Sequence, residues 1–147
     1  MNENLGTGAM LHLLSGGPYL TNRAITQALG KTIHQVLLEE SANRLFIFFT
    51  DRSLLTVFDD GQSCCERRYM RTDDDLIEYT GYVLLGFELK SVSTTRDEDW
   101  GDVHQIQFLD VITSNGTFQI ANHNEHNGYY GGFAVTAEYD DSQCTNE

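Results

Sequence analysis

The sequence predicts one α+β domain dominated by antiparallel β-sheet, with one or two short helices. Two observations support this fold class. Short apolar or alternating runs recur along the chain, separated by turn residues, as in antiparallel sheets. The chain has 147 residues, 40% of them hydrophobic and 11% aromatic, which is enough apolar surface for one core. The composition therefore excludes a multidomain protein and a wholly disordered acidic chain.

The composition also suggests where the domain begins and ends. Residues 1–18 are rich in Gly and Asn and predict a flexible N-terminal arm. Residues 19–140 contain the predicted helices and strands, and residues 141–147 form a short acidic tail. We find no internal repeat and no proline-rich linker that would divide the region between the arm and the tail.

The first element after the arm is a short helix. Thr21 or Asn22 is a suitable N-cap, and Gly30 stands where a helix commonly ends. The apolar residues that share one face of this helix are Ile25, Ala28 and Leu29. We expect that face to pack against the sheet.

Three strands follow as a predicted meander, over residues 33–40, 44–50 and 53–58. Short polar connections separate them, as antiparallel hairpins require. Residues 45–49 read Leu-Phe-Ile-Phe-Phe and are apolar on both faces of a strand. The pattern predicts a central strand covered on both sides.

A second set of strands occupies the rest of the domain. Residues 73–79 begin with three aspartates and predict one or two helical turns, because carboxylates stabilise a helix N-terminus. The predicted strands are residues 82–93, 103–113, 117–121 and 132–139. The Asn-Gly step within 114–116 predicts a hairpin turn between two of them, because it accepts the positive φ angles of such turns.

The charge is concentrated in the second half of the chain. Residues 1–72 carry seven acidic and seven basic groups, whereas residues 73–147 carry fifteen acidic and two basic groups, so the whole net charge of −13 lies there. Such a chain is disfavoured for direct nucleic-acid binding, which depends on excess cations. The acidic excess is interpreted either as an ordinary solvated surface or as a surface that attracts a basic partner protein.

Two acidic runs are the candidate partner-binding residues. They comprise Asp73, Asp74, Asp75 and Glu78, and Asp97, Glu98, Asp99, Trp100 and Asp102. The second run resembles a calcium loop, but Phe108 stands where an EF-hand needs its bidentate glutamate. Trp100 among carboxylates is typical of an interface anchor, although a solvated hairpin loop has the same composition.

The cysteines predict a reducing compartment. Cys64 and Cys65 are adjacent, and neighbouring Cα atoms are too close for an ordinary disulfide, so with Cys144 they form no disulfide framework. The N-terminus lacks the cationic segment of a secretory signal, and no apolar run is long enough to span a bilayer. We expect a cytoplasmic protein with no membrane contact, and a homo-oligomer remains open.

A zinc site is the first chemical alternative, and the spacing disfavours it. Cys64, Cys65, His123 and His126 supply suitable ligand types. Adjacent cysteines in an extended segment point to opposite faces, whereas zinc pairs normally have residues between them. We expect no metal and no cofactor.

A small-ligand site is the second alternative. Its candidate residues are Arg67, Arg68, Arg71, Asn127, Tyr129 and Tyr130, with guanidinium groups for phosphates and tyrosine for base stacking. The arginines have a structural alternative, which is ion pairing with Asp73 to Asp75 or with Asp59 and Asp60. The polar stretch 121–132 is predicted to be a recognition loop or a plain turn. His123 or His126 would be the base of a hydrolase, but no recognisable nucleophile motif accompanies them.

The order of motifs resembles a family of small uncharacterised proteins of phages and bacteria. The matching motifs are Gly30-Lys31, Cys64-Cys65-Glu66 before the acidic turn 73–77, and the turn 127–132, so the resemblance covers residues 30–135. His123 and His126 depart from its pattern. The resemblance implies a phage or mobile-element setting and assigns no catalytic residue.

The leading functional prediction is a phage-type, non-enzymatic inhibitor. Its acidic surface would block a basic, nucleic-acid-binding site on a host defence protein such as a nuclease. The alternative is a binder that sequesters a nucleotide signal of host defence, and a His-dependent hydrolase ranks third.

Overall fold

The computed structural model describes residues 18–61, 66–97, 101–128 and 131–143. Within these ranges the elements are helix α1 (Pro18–Ala28), strands β1 (Ile33–Glu39), β2 (Arg44–Phe49), β3 (Leu54–Asp59) and β4 (Arg67–Arg71), a 3₁₀ turn (Leu76–Tyr79), and strands β5 (Leu84–Leu89), β6 (Ser93–Arg96), β7 (Val103–Thr113), β8 (Gly116–His126) and β9 (Val135–Asp140). The described chain is mostly antiparallel sheet with one α-helix, as the sequence predicts. None of its helices is long and apolar enough to cross a membrane.

The strands form two antiparallel sheets. Sheet 1 has the order β1-β2-β3-β9, and sheet 2 has the order β4-β8-β7-β5. β6 also pairs with β7, so β5 and β6 lie one after the other along the same edge of that long strand. Backbone hydrogen bonds join the sheets where β1 begins beside β5 and where Glu40 accepts from the N–H of Met70 in β4.

The two sheets enclose one apolar core. Sheet 1 contributes the inward-facing residues of β2 and β3, among them Leu45, Ile47 and Leu55, and sheet 2 contributes Phe118 and Leu109. All five are fully buried. Because apolar burial is the main stabilising term in folding, this shared core holds the sheets together and leaves the opposite face of sheet 2 to solvent.

Helix α1 has the predicted end but an earlier start. It begins at Pro18, so Thr21 and Asn22 lie inside the helix, and the predicted N-cap is wrong. Proline suits the first turn, where its missing N–H has no intrahelical acceptor. Gly30 follows the helix with a positive φ of 87°. Ile25 packs in the core as predicted, whereas Leu29 is 39% exposed because the chain has already left the helix.

The meander is confirmed, but its middle strand is covered on one face. β2 lies between β1 and β3, as predicted for a central strand. The inward face of β2 is buried. On the other face Phe46 and Phe48 are half-buried and stack on each other, with ring centroids 6.3 Å apart. Within the described part of the chain, the two phenylalanines thus partly shield each other from solvent.

The second set of strands differs from prediction in its bounds. β7 matches residues 103–113, and the hairpin turn lies where Asn-Gly predicts it, with Gly116 at a φ of 125°. β8 runs to His126, so the predicted loop 121–132 is half strand. The predicted strand 82–93 is interrupted after Leu89, and β4 was not predicted.

Candidate functional site

The solvent-facing side of sheet 2 brings several titratable side chains together. Strand register brings alternate residues of three neighbouring strands onto this side. They are Arg67, Tyr69 and Arg71 of β4, Ala121, His123 and Glu125 of β8, and His104, Ile106 and Phe108 of β7. We call this set the outer face of sheet 2.

Two imidazoles and one phenol ring lie side by side at the centre of the outer face. Tyr69 and His123 are register partners and stack almost parallel, with centroids 4.5 Å apart and planes 5° apart. His104 Nε2 and His123 Nδ1 are 2.8 Å apart, so one ring donates a hydrogen bond to the other. Burial, the nearby His104 and the charge of Arg71 lower the pKa of His123, which favours its neutral form.

Glu125 connects this group to the neighbouring charges. The Tyr69 hydroxyl donates to Glu125 Oε2 at 2.5 Å, and Arg67 and His104 place nitrogen atoms 3.5 Å and 4.0 Å from the carboxylate. The hydrogen bond from Tyr69 is the main cause that lowers the pKa of Glu125. Burial and the same bond raise the pKa of Tyr69. At neutral pH the group therefore holds an ionised carboxylate and a protonated phenol.

An open cleft of about 740 Å³ adjoins this centre at the β6–β7 end of the sheet. Its lining residues are Glu66, Arg67, Thr95, Asp97, Asp102, Val103, His104, Glu125, His126 and Asn127. Four carboxylates and one arginine make it acidic, and we call it the acidic cleft. The Asp97 N–H donates to the Asp102 carbonyl at 2.7 Å, which closes the β6–β7 connection on the rim.

Two smaller clefts of about 400 and 370 Å³ border β4. The first, which we call the arginine cleft, is lined by Leu38, Glu40, Ser41, Arg67, Tyr69 and Arg71. The second is lined by Arg71, Thr72, Asp73, Asp74, Ile106, Phe108, Gln119, Ala121 and His123. Arg71 lines both clefts.

Arg68 does not share the surface of the other two arginines. It points to the inner face of sheet 2, where its side chain is 5% exposed and forms ion pairs of 2.6 Å with Asp59 and 2.9 Å with Glu66. It also donates to the Gly132 carbonyl. A Cβ added to Gly61 would lie 2.9 Å from Arg68 Cζ, so glycine allows this close approach. Of the two predicted roles of Arg68, the structure supports the ion pair with Asp59.

The first acidic run is divided between two places. Asp73 and Asp74 line the cleft beside Arg71, whereas Asp75 and Glu78 are exposed beside the 3₁₀ turn and line none of the clefts described above. Asp74 Oδ2 accepts the Gln119 N–H at 2.8 Å. This carboxylate therefore holds the loop after β4 against β8.

The second acidic run and the polar stretch are described in part. Asp97, Asp102 and Asn127 line the acidic cleft. Glu98, Asp99, Trp100, Tyr129 and Tyr130 lie outside the described residues, as do Cys64, Cys65 and Cys144. The described ends of the segment 98–100 thus lie at the acidic cleft.

His123 and His126 cannot serve one site together. They are three residues apart on β8 and point to opposite faces. On the inner side, the Gly128 N–H donates to His126 Nδ1 at 3.0 Å, which fixes its proton on Nε2, 3.0 Å from Gln105 Oε1. In the described part of the chain, no three Cys, His, Asp or Glu side chains group as metal ligands.

Tyr69, His104 and Glu125 are site residues that the sequence did not reveal. Alternation along 103–113 puts His104 on a predicted strand face, but its partner depends on the register between β7 and β8. Tyr69 and Glu125 lie in segments that were predicted as a basic cluster and a loop. The alternation Arg-Arg-Tyr-Met-Arg is the one signal for β4, since Met70 alone is apolar and fully buried.

The sequence matches the model of one protein family over residues 26–135, described as a domain of unknown function, DUF7448. The chain belongs to this family. The match begins within α1 and ends at Val135, so the DUF7448 region contains every residue of the outer face. It agrees with the predicted resemblance to an uncharacterised family. No curated protein and no solved structure matches the chain.

Proposed function

We propose that the protein is a non-enzymatic binding protein whose acidic cleft receives basic side chains of a partner protein. One observation carries this proposal: Asp97 and Asp102 line the same cleft as Glu125 of the outer face. Two sequence-distant acidic segments therefore surround one concave surface. A lysine or arginine side chain that entered the cleft would meet several carboxylates within a short distance.

The charge of the whole chain supports the same kind of partner. With a net charge of −13, the protein attracts cationic surfaces over a distance comparable to the Debye length, about 8 Å at physiological ionic strength. A protein that binds nucleic acid presents such a surface. A nuclease of host defence is the partner class that the sequence resemblance favours, and blocking its nucleic-acid site would inhibit it.

The hydrogen bonds of the histidines support a binding role over hydrolysis. Both ring nitrogens of His126 have partners inside the protein, Gly128 and Gln105. His123 Nδ1 is bonded to His104. A general base needs a free nitrogen within reach of the proton that it removes, so these contacts leave His126 unsuited to that role and bind one nitrogen of His123.

A matched pair of double variants tests the location of binding. Asp97→Asn with Asp102→Asn removes two charges from the acidic cleft, whereas Asp75→Asn with Glu78→Gln removes two exposed charges outside it. We expect the first variant to bind a hexa-arginine peptide roughly tenfold more weakly and the second to bind within about twofold of wild type. Calorimetry at low salt measures both affinities. Equal losses would show that the peptide senses overall charge and would refute a cleft-specific role.

A partner captured from host lysate gives the second test. Bound proteins should be enriched in nucleic-acid-binding proteins, and about 0.5 M salt should release them because screening weakens exposed charge pairs. The cleft variant should capture less of the same protein than the control variant. Capture that resists salt and is unchanged in the cleft variant would contradict the proposal.

A further inference from the structure

We infer that the outer face of sheet 2 carries a second binding site, in which Arg67 and Arg71 bind the phosphate group of a small ligand over Tyr69. This site differs from the acidic cleft in charge and in ligand, so the inference goes beyond the proposed function. It uses the arginine cleft beside β4, which both guanidinium groups and the tyrosine line.

The strand geometry directs the two arginines to one place. Arg67 and Arg71 stand two residues before and two residues after Tyr69 on β4, so all three side chains leave the same face. The guanidinium carbons lie 4.6 Å and 5.5 Å from the centroid of the Tyr69 ring. Each guanidinium group is a planar set of N–H donors, and two such groups near one aromatic ring suit the several oxygens of a phosphate.

The arginines differ from Arg68 in what they already bind. Arg68 is buried and held by two carboxylates. Arg67 is 67% exposed and has one long ion pair with Glu125 at 3.5 Å. Arg71 is exposed and makes no ion pair with any carboxylate in the described part of the chain. Arg71 is therefore the principal donor of the site, and Glu40 is the carboxylate in the same cleft that competes with a bound anion.

The contacts of Tyr69 define which part of a ligand is recognised. His123 covers Tyr69 from the β8 side, and the arginines lie over the ring as well. A nucleobase therefore has no vacant face of Tyr69 on which to stack. The site recognises the phosphate itself, whether it is free or part of an ester.

Binding of an anion should change the titration of His123, which provides a specific signal. The charged or titratable groups around His123 are Tyr69 and Arg71 of β4, His104 of β7, Glu125 of its own strand, and Asp73 and Asp74 of the neighbouring cleft. Arg71 lowers the pKa of His123. A phosphate on Arg71 would offset that charge and raise the pKa, and by linkage a protonated His123 would bind phosphate more tightly.

Titration of the full chain with inorganic phosphate tests the site. We expect the NMR signals of the Arg67 and Arg71 side chains to shift with a saturable dependence on phosphate, and the pKa of His123 to rise. Arg71→Gln should weaken phosphate binding roughly tenfold or more, because it removes charge-assisted hydrogen bonds. Arg23→Gln is the matched control: it removes the same charge from an exposed position on α1 and should bind like wild type.

A further variant separates the guanidinium geometry of Arg71 from its charge, and two further ligands identify the ligand class. Arg71→Lys keeps the charge but loses the planar guanidinium donors. We therefore expect its affinity for phosphate to lie between the affinities of wild type and Arg71→Gln. O-phosphoserine and adenosine monophosphate should bind about as well as phosphate if the phosphate group alone is recognised. Tighter binding of adenosine monophosphate would show that the ligand is a nucleotide phosphate ester. The inference is overturned if phosphate leaves the arginine signals unchanged at roughly 10 mM, or if folded Arg71→Gln binds like wild type.

Discussion

At the residue scale, Arg68 shows how position on a strand decides the role of a charge. Three arginines lie within five residues, and sequence proximity suggested one phosphate-binding cluster. Alternation along β4 turns Arg68 inward and Arg67 and Arg71 outward. The inward residue is neutralised by Asp59 and Glu66, both of which are almost fully buried. The same residue type therefore has a structural role at one position and faces solvent at its neighbours.

Replacement of Arg68 should reveal this structural role. Arg68→Gln leaves two buried carboxylates without their cation, and we expect a loss of about 3–5 kcal/mol in the free energy of unfolding. Arg67→Gln removes a mostly exposed arginine and should cost less than about 1 kcal/mol. Urea denaturation at neutral pH measures both. Similar values for the two variants would mean that the buried ion pairs contribute little to stability.

His123 should make stability depend on pH. Its pKa is lowered in the folded state, so the unfolded chain binds more protons as the pH falls below about 6.5. Stability should therefore decrease as the pH falls through that region, until His123 is also protonated in the folded state. His123→Gln should show a shallower decrease between pH 7.5 and pH 5 in urea denaturation. His34→Gln, which replaces an exposed histidine on β1, should keep the wild-type slope.

At the element scale, β8 explains why part of the site could not be predicted. Residues in its second half point alternately inward and outward, but the inward ones are the polar residues Asn122, Asn124 and His126. Sequence rules expect apolar residues on a buried face, so this half was assigned to a loop. Pairing with β4 and β7 on both sides makes it a strand. The meander was predictable because its inward face is largely apolar, and β7 because Leu109 and Val111 alternate with outward residues, although Gln107 and Thr113 are buried on the same face.

The tight turns of sheet 1 give a prediction at the same scale. Arg52 and Asn43 both adopt positive φ angles, of 75° and 63°. Arg52 is exposed, so Arg52→Gly should relieve backbone strain and raise the free energy of unfolding by about 0.5–1 kcal/mol. Asn43 Nδ2 donates to the Asp59 carbonyl, so Asn43→Gly should instead lower it by about 1 kcal/mol. Thermal unfolding of the pair checks these opposite signs, and two stabilised variants would contradict the role of Asn43.

At the scale of the whole molecule, the net charge of −13 bears on stability as well as on the proposed binding of a basic partner. Like charges repel in the compact state, and salt screens that repulsion. The melting temperature should therefore rise as sodium chloride increases from about 20 mM to about 200 mM. Potassium chloride should give the same rise, because screening depends on ionic strength. A melting temperature that falls over this range would mean that attractive charge pairs dominate.

Composition and charge predicted one domain with an acidic second half, but they could not predict which sequence-distant residues lie side by side. Asp97 and Glu125 are distant in sequence and line one cleft because β6 pairs with β7 and β7 with β8 in a particular register. Arg71 and His123 meet in the same way across β4 and β8. Strand register depends on the packing of the whole sheet, so it cannot be predicted from short segments of the sequence.

The loop after β4 also covers part of a strand edge. β4 ends at Arg71, and beyond it the edge of β8 would expose the backbone of Gln119. Asp74 accepts the Gln119 N–H, and the Thr72 hydroxyl donates to the Gln119 carbonyl at 2.7 Å. Two side chains thus occupy hydrogen-bonding groups that another strand could pair with, and one of them adds a negative charge. Exposed strand edges promote aggregation, so this arrangement should help to keep the protein dispersed at high concentration.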